Sequence, residues 1–118
     1  MTANPKFEAF LAGLLDATKN GKVDWRDTAD EDTFMVELKH GFVHLERRQE
    51  VDILKQPCTC FRAYLYDRKG RLADEIRSLS MKDGNVLPEM FQLAWRSARE
   101  TDSLLDQVTA DLQTQEGR

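Results

Sequence analysis

The sequence predicts an α+β fold with an N-terminal helix, an antiparallel meander of about four strands, and a long C-terminal helix packed on one face. Three observations carry this. Phe7, Phe10, Leu11, Leu14 and Leu15 recur at helical spacing. Between Phe34 and Ile76 the side chains alternate apolar and polar, as in half-buried strands. A second helical stripe then runs from Leu87 to Leu112. At 118 residues the chain has the length of one domain, and it holds no repeat, linker or low-complexity tract, so residues 1–118 are expected to fold as one unit.

Each element has its own punctuation. Asn4-Pro5 opens the first helix, with Asn as N-cap and Pro at the first helical position, where its missing N–H costs nothing. Asn20-Gly21 closes it. The chain is then extended around Val23 and Trp25, and Trp25 is expected on the core. In "TFMVELK", Phe34, Val36 and Leu38 share one face; His40-Gly41 turns the chain, and Val43 and Leu45 point inward from "FVHLER". Residues 48–57 fit a continuing strand, an irregular edge or a short helical turn, with Pro57 marking a break. "CTCFRAYLY" alternates again, "DRKG" has the composition of a type I turn, and "RLADEIRSLS" returns with Leu72 and Ile76 on one face. After "KDGN" the closing helix places Leu87, Phe91, Ala94, Ala98, Thr101, Leu105, Val108 and Leu112 on one stripe, widened by Met90, Trp95 and Leu104. Its small residues suit close packing on a sheet. Its 26 residues extend about 39 Å, so the Leu104–Leu112 end outruns a small sheet and is the candidate homodimer contact.

The composition, 41% apolar and 32% charged, is that of a folded chain, and a net charge of −4 argues against a nucleic-acid partner. The charge is uneven. Residues 33–85 carry 10 basic and 8 acidic side chains, whereas residues 1–32 carry 4 and 7, and residues 86–118 carry 3 and 6. No apolar run is long enough to span a bilayer, and the start lacks a basic leader region. Two cysteines without a secretory signal suit a reducing cytoplasm, the expected location.

Those cysteines, Cys58 and Cys60, lie two apart on one strand. Alternation puts Thr59, Phe61, Ala63 and Leu65 toward the helices and Cys58, Cys60, Arg62, Tyr64 and Tyr66 on the other face. Residues two apart on a strand are about 6.5–7 Å apart, near the upper limit for a disulfide, and no Cys-x-x-Cys motif is present. A zinc site would need His44 to converge with Cys58 and Cys60, at a spacing that matches no common module. Structural cysteines are the expectation, with the His44/Cys58/Cys60 metal or small-ligand site as the alternative.

The other constellations point to contact rather than chemistry. "DWRDTADED" holds five carboxylates but lacks the alternate acids, central Gly and terminal Glu of a calcium loop. It reads as a solvated acidic loop, with Asp27, Asp30, Glu31 and Asp32 as a patch for a basic partner. Arg62, Tyr64 and Tyr66, with Arg68, Lys69 and Arg71 at the adjoining turn, make a basic aromatic surface of the kind that protein interfaces favour. No nucleophile elbow, phosphate-cradling glycine loop, metalloprotease helix or cofactor motif appears, which leans against an enzyme and implies no cofactor.

The segments "LLDATKNGKVDW", "YLYDRKGRLADEI" and "LAWRSARETDSLLDQV" together resemble a set of small uncharacterised bacterial and phage-borne single-domain proteins, over nearly the whole chain. The shared features are structural, and the resemblance implies the helix–meander–helix layout without supplying catalytic residues. More loosely, the chain resembles acidic dimeric secretion chaperones, which combine a meander and flanking helices in another order. The expected function is a non-enzymatic interaction module of the immunity, inhibitor or regulatory type, binding a protein partner.

Overall fold

A computed structural model of the chain describes residues 4–116. Helix α1 (Pro5–Lys19) leads into five antiparallel strands, β1 (Trp25–Asp27), β2 (Thr33–Glu37), β3 (Gly41–Val51), β4 (Pro57–Asp67) and β5 (Leu72–Arg77). A 3₁₀ turn (Ser78–Ser80) precedes α2 (Val86–Ala98) and α3 (Thr101–Glu116). The strands lie in sequence order β1-β2-β3-β4-β5, a meander. Among the described residues no helix is long and apolar enough to cross a membrane.

The α+β class, the first helix and the antiparallel meander match the sequence reading; the strand count and the closing helix do not. The Asn4 side chain accepts the Lys6 N–H at 3.0 Å, and Gly21 takes φ +67 just beyond the helix end. One face of the sheet is closed by α1 and α2. Phe7, Leu11, Leu14 and Leu15 from α1 and Leu87, Met90, Phe91 and Ala94 from α2 meet Trp25, Phe34, Val36, Val43, Leu45, Ala63 and Ile76. Trp25 is buried as expected, and its indole N–H donates to Thr18 Oγ1 at 3.0 Å, satisfying the one polar group it carries inward.

Three features depart from expectation, and the open assignment of residues 48–57 is settled. A three-residue strand, β1, pairs with β2 through Trp25↔Val36 and Asp27↔Phe34. Residues 48–57 are resolved into the end of β3, a turn, and Pro57 at the start of β4. In that turn the Asp52 carboxylate accepts the Leu54 and Gln56 N–H groups at 2.8 and 2.9 Å, and Lys55 is left-handed at φ 59. An irregularity at Leu65/Tyr66 shifts the β4–β5 register so that Leu72 pairs with Tyr66, leaving Leu72 exposed instead of beneath the helices with Ile76.

The third departure is the largest: the single long helix is two. The Arg99 N–H still reaches Trp95 O, but the Glu100 N–H bonds Ser97 O at 3.3 Å, so the last turn tightens and Glu100 takes φ 48. A left-handed non-glycine residue costs about 1–2 kcal/mol. Arg99 offsets this: its side chain donates to Asp27 Oδ1 at 3.3 Å and to Glu31 O at 3.1 Å, tying the joint to the β1–β2 loop. Beyond the joint, every side chain from residue 103 to residue 114 is exposed.

This division fixes two expected outcomes in urea unfolding. Leu87→Ala should destabilise the protein by about 2–5 kcal/mol, because it empties a fully buried site between α2 and the sheet. Leu112→Ala should change stability by less than about 0.5 kcal/mol, because it touches no core.

Candidate functional site

Among the described residues no helix covers the second face of the sheet, since α1 and α2 both pack on the first. The uncovered face carries Phe42, His44, Glu46, Arg48 and Glu50 from β3 beside Tyr66, Tyr64, Arg62, Cys60 and Cys58 from β4, each pair in register. Tyr66 stacks on Phe42 with ring centroids 5.1 Å apart, His44 meets Tyr66 edge-on at 5.1 Å, and Tyr64 lies 6.5 Å from Tyr66. The sequence-predicted Tyr64 and Tyr66 are therefore brought together on the open side. Phe42 and His44 join them, a pair the sequence reading had not placed in the patch although their alternation signalled it.

Burial pushes the His44 imidazole down from its ordinary value, against an opposing pull from Glu46, so the ring is held neutral among aromatic neighbours. Burial likewise pushes the Tyr64 hydroxyl up.

The charges near this patch are used internally. Arg62 Nη2 donates to Glu50 Oε1 at 2.6 Å, and Arg77 Nη2 reaches the other oxygen of the same carboxylate. Arg68 pairs with Glu37 at 2.7 Å and Arg71 with Asp67 at 2.8 Å. The Asp67 carboxyl is pulled below its usual value, first by the backbone N–H of Arg71. Of the basic turn, only the Lys69 ammonium makes no ion pair among the described residues.

The acidic loop behaves the same way. Asp32 binds Arg47 at 2.8 Å, Asp27 binds Arg99, and Asp30 accepts the Asp32 N–H within the loop. Arg47 and Arg99 in turn flank Trp95, 5.4 and 5.1 Å from its ring centroid, and reach Phe91 and Phe34. The loop thus anchors two arginines that roof the core; Glu31 is exposed but lends its carbonyl to Arg99.

The His44/Cys58/Cys60 alternative does not assemble. His44 faces Tyr64, while Cys60 faces Arg48, four residues further along, a separation of about 13 Å. Among the described residues no three His, Cys, Asp or Glu side chains gather so as to hold a metal ion. Both thiols are free, and Cys60 is wholly buried outside the helix-covered core, with the Arg77 guanidinium against its sulfur.

Two further apolar surfaces are exposed, one at the arm tip, which the sequence reading did not single out, and one on the Leu104–Leu112 stretch that it expected to outrun the sheet. Beyond Glu46 and Arg62, β3 and β4 pair only with each other, forming an arm of Arg47–Val51 against Pro57–Phe61. Glu50 braces one side of it and the Gln49–Thr59 pair the other. Its tip carries Val51, Ile53 and Leu54, with Ile53 98% exposed. The second surface is α3, whose Leu104, Leu105, Val108 and Leu112 are 42–61% exposed. The Arg99 anchor roots α3 beside Glu31, and the neighbouring Asp32 carbonyl accepts the N–H of Arg47 at the base of the arm, so both surfaces issue from one end of the sheet.

Compared with known proteins, the chain matches no family model, no curated protein and no solved structure.

The neutral His44 has a consequence in acid. Between the lowered His44 value and the ordinary imidazole value of 6.5, the unfolded chain binds more protons than the folded one. Stability therefore rises with pH across that window and is lost as the pH falls through it. The urea midpoint should fall on acidification from neutral pH, with the His44 ring proton titrating below the usual range. His44→Phe should flatten that slope, and an unchanged slope would contradict the assignment.

Proposed function

We propose that the protein is a non-enzymatic interaction module that engages a protein partner carrying an apolar, basic segment. The observation that carries this reading is α3, a helix of 16 residues with an apolar stripe and no sheet beneath it. Isolated helices of that length are marginal in water, because nucleation is costly and the stabilising contribution normally comes from packing an apolar face. A partner surface supplies that packing. The arm tip, issuing from the same end of the sheet, offers Val51, Ile53 and Leu54 as a second contact. Exposed apolar groups held on separate projections from one scaffold suit a partner that wraps both.

Charge selects among partners. From Thr101 to Glu116 the helix has four acids, Asp102, Asp106, Asp111 and Glu116, and no base. A basic amphipathic segment complements the negative charge of this helix, whereas a second copy would bring like charge to like. The Arg62, Tyr64 and Tyr66 surface remains an auxiliary contact in this reading, offering its aromatic rings more than its charge, since Arg62 is committed to Glu50.

The test is comparative capture from the native host with the full chain, against a Leu105→Ser/Leu112→Ser variant and an Ile53→Ser variant. A specific partner should be retained by the parent and lost or much weakened by the helix variant, with urea stability unchanged and binding weakened by added salt. A partner held equally by parent and helix variant would overturn the reading. So would a homodimer in sedimentation that strengthens with salt.

A further inference from the structure

At the opposite end of the sheet from the arm, α1, the β2–β3 turn and the β4–β5 turn line an open cleft of about 640 Å³. That volume lies within the range of small-molecule sites. Its walls are apolar, built from Phe7, Phe10, Leu38, Leu65 and Ala73. Gly41 also lines it, and a Cβ there would run into the Tyr66 carbonyl, so the close approach of β3 to β4 requires glycine.

The rim is charged and its charges are unequal. Asp67 is occupied by the Lys69 and Arg71 N–H groups and by the Arg71 guanidinium. Asp74 accepts from Asn4 Nδ2 at 3.1 Å and from the Glu75 N–H at 2.8 Å. Lys6 and Lys39, both exposed, form no ion pair among the described residues. With Arg71 set against Asp67, the two lysines exceed the one remaining carboxylate.

We infer that this cleft binds an amphipathic carboxylate: an aliphatic or aromatic body against Phe7, Phe10, Leu38 and Leu65, and one anionic head between Lys6 and Lys39. An apolar ligand without charge would gain nothing from the two hydrated ammonium groups, and a cationic one would be repelled by them. A polyanion would meet Asp67 and Asp74. The site lies apart from α3 and the arm tip, so this inference goes beyond the partner-binding reading and stands or falls separately.

Decanoate, kept below its micelle concentration, is the probe, with decanol and decyltrimethylammonium as matched neutral and cationic controls. Calorimetry on the full chain should show decanoate binding at one site, decanol binding more weakly and the cation not binding. Amide shifts should appear at residues 38–41 and at Ala73. Lys6→Gln/Lys39→Gln should raise the decanoate Kd about threefold to tenfold, the effect of removing two solvent-exposed ion pairs, with the fold intact. Leu65→Ser should weaken decanoate and decanol alike. No decanoate binding, equal affinity for all three probes, an unchanged Kd in the double lysine variant, or shifts confined to α3 would each overturn the assignment.

Discussion

Two helices of 15 and 13 residues can close one face of a five-stranded sheet and no more, and the remainder of the molecule follows from that limit. The buried cluster joins α1 and α2 to inward residues of all five strands. Everything beyond their reach is left without helical cover: the second sheet face, the arm and α3. The same limit explains why the inward alternation of β4 fades toward its start. Ala63 is fully buried and Phe61 packs on Phe91 at 5.4 Å, but Thr59, on the same side, is exposed because α2 does not reach it.

Charge substitutes for helix where cover is missing. Trp95, at the last turn of α2, would leave the edge of the core open to water, and the guanidinium planes of Arg47 and Arg99 lie over it and over its neighbours Phe91 and Phe34. The arginines hold Asp32, Asp27 and the Glu31 carbonyl while their guanidinium carbons stay 5.1–5.5 Å from the ring centroids. On the other side, Glu50 draws Arg62 and Arg77 together across three strands near Cys60. Isolated surface ion pairs contribute little. These pairs matter through the apolar surface they cover and the arm they brace.

The parts of this architecture legible in the sequence were those written as repetition. Phe7 to Leu15 gave a helix, Phe34, Val36, Val43 and Leu45 gave an inward face, and the alternation of β4 put Tyr64 and Tyr66 on the outward one. What escaped was set by single residues. A strand of three residues, β1, is too short to alternate. One register shift turned Leu72 outward without altering composition. The four-three stripe ran unbroken through Ala98 and Thr101 because nothing local announces that Glu100 will be left-handed; the joint sits beside Arg99, which is bound to residues 68 and 72 positions earlier. In the acidic loop and the basic turn, sequence shows the charges and hides the mates that Asp27, Asp32, Arg68 and Arg71 have within the chain.

The broken helix bears on recognition. Had the chain continued straight through residues 99 and 100, the stripe from Leu87 to Leu112 would have run along one axis set by the sheet. Instead the Arg99 tether ends the packed part at the sheet margin, and α3 starts afresh from Glu100 O, which accepts the Leu104 N–H at 2.9 Å. Its direction is then governed by one short joint and not by the core. An apolar helix released in this way gives up the stability that packing on its own sheet would have provided, a loss that its exposed leucines leave uncompensated within the chain. The geometry that makes α3 useless to the fold is therefore the same geometry that makes it available to a partner, and it depends on keeping Asp27 and Glu31 where Arg99 can reach them.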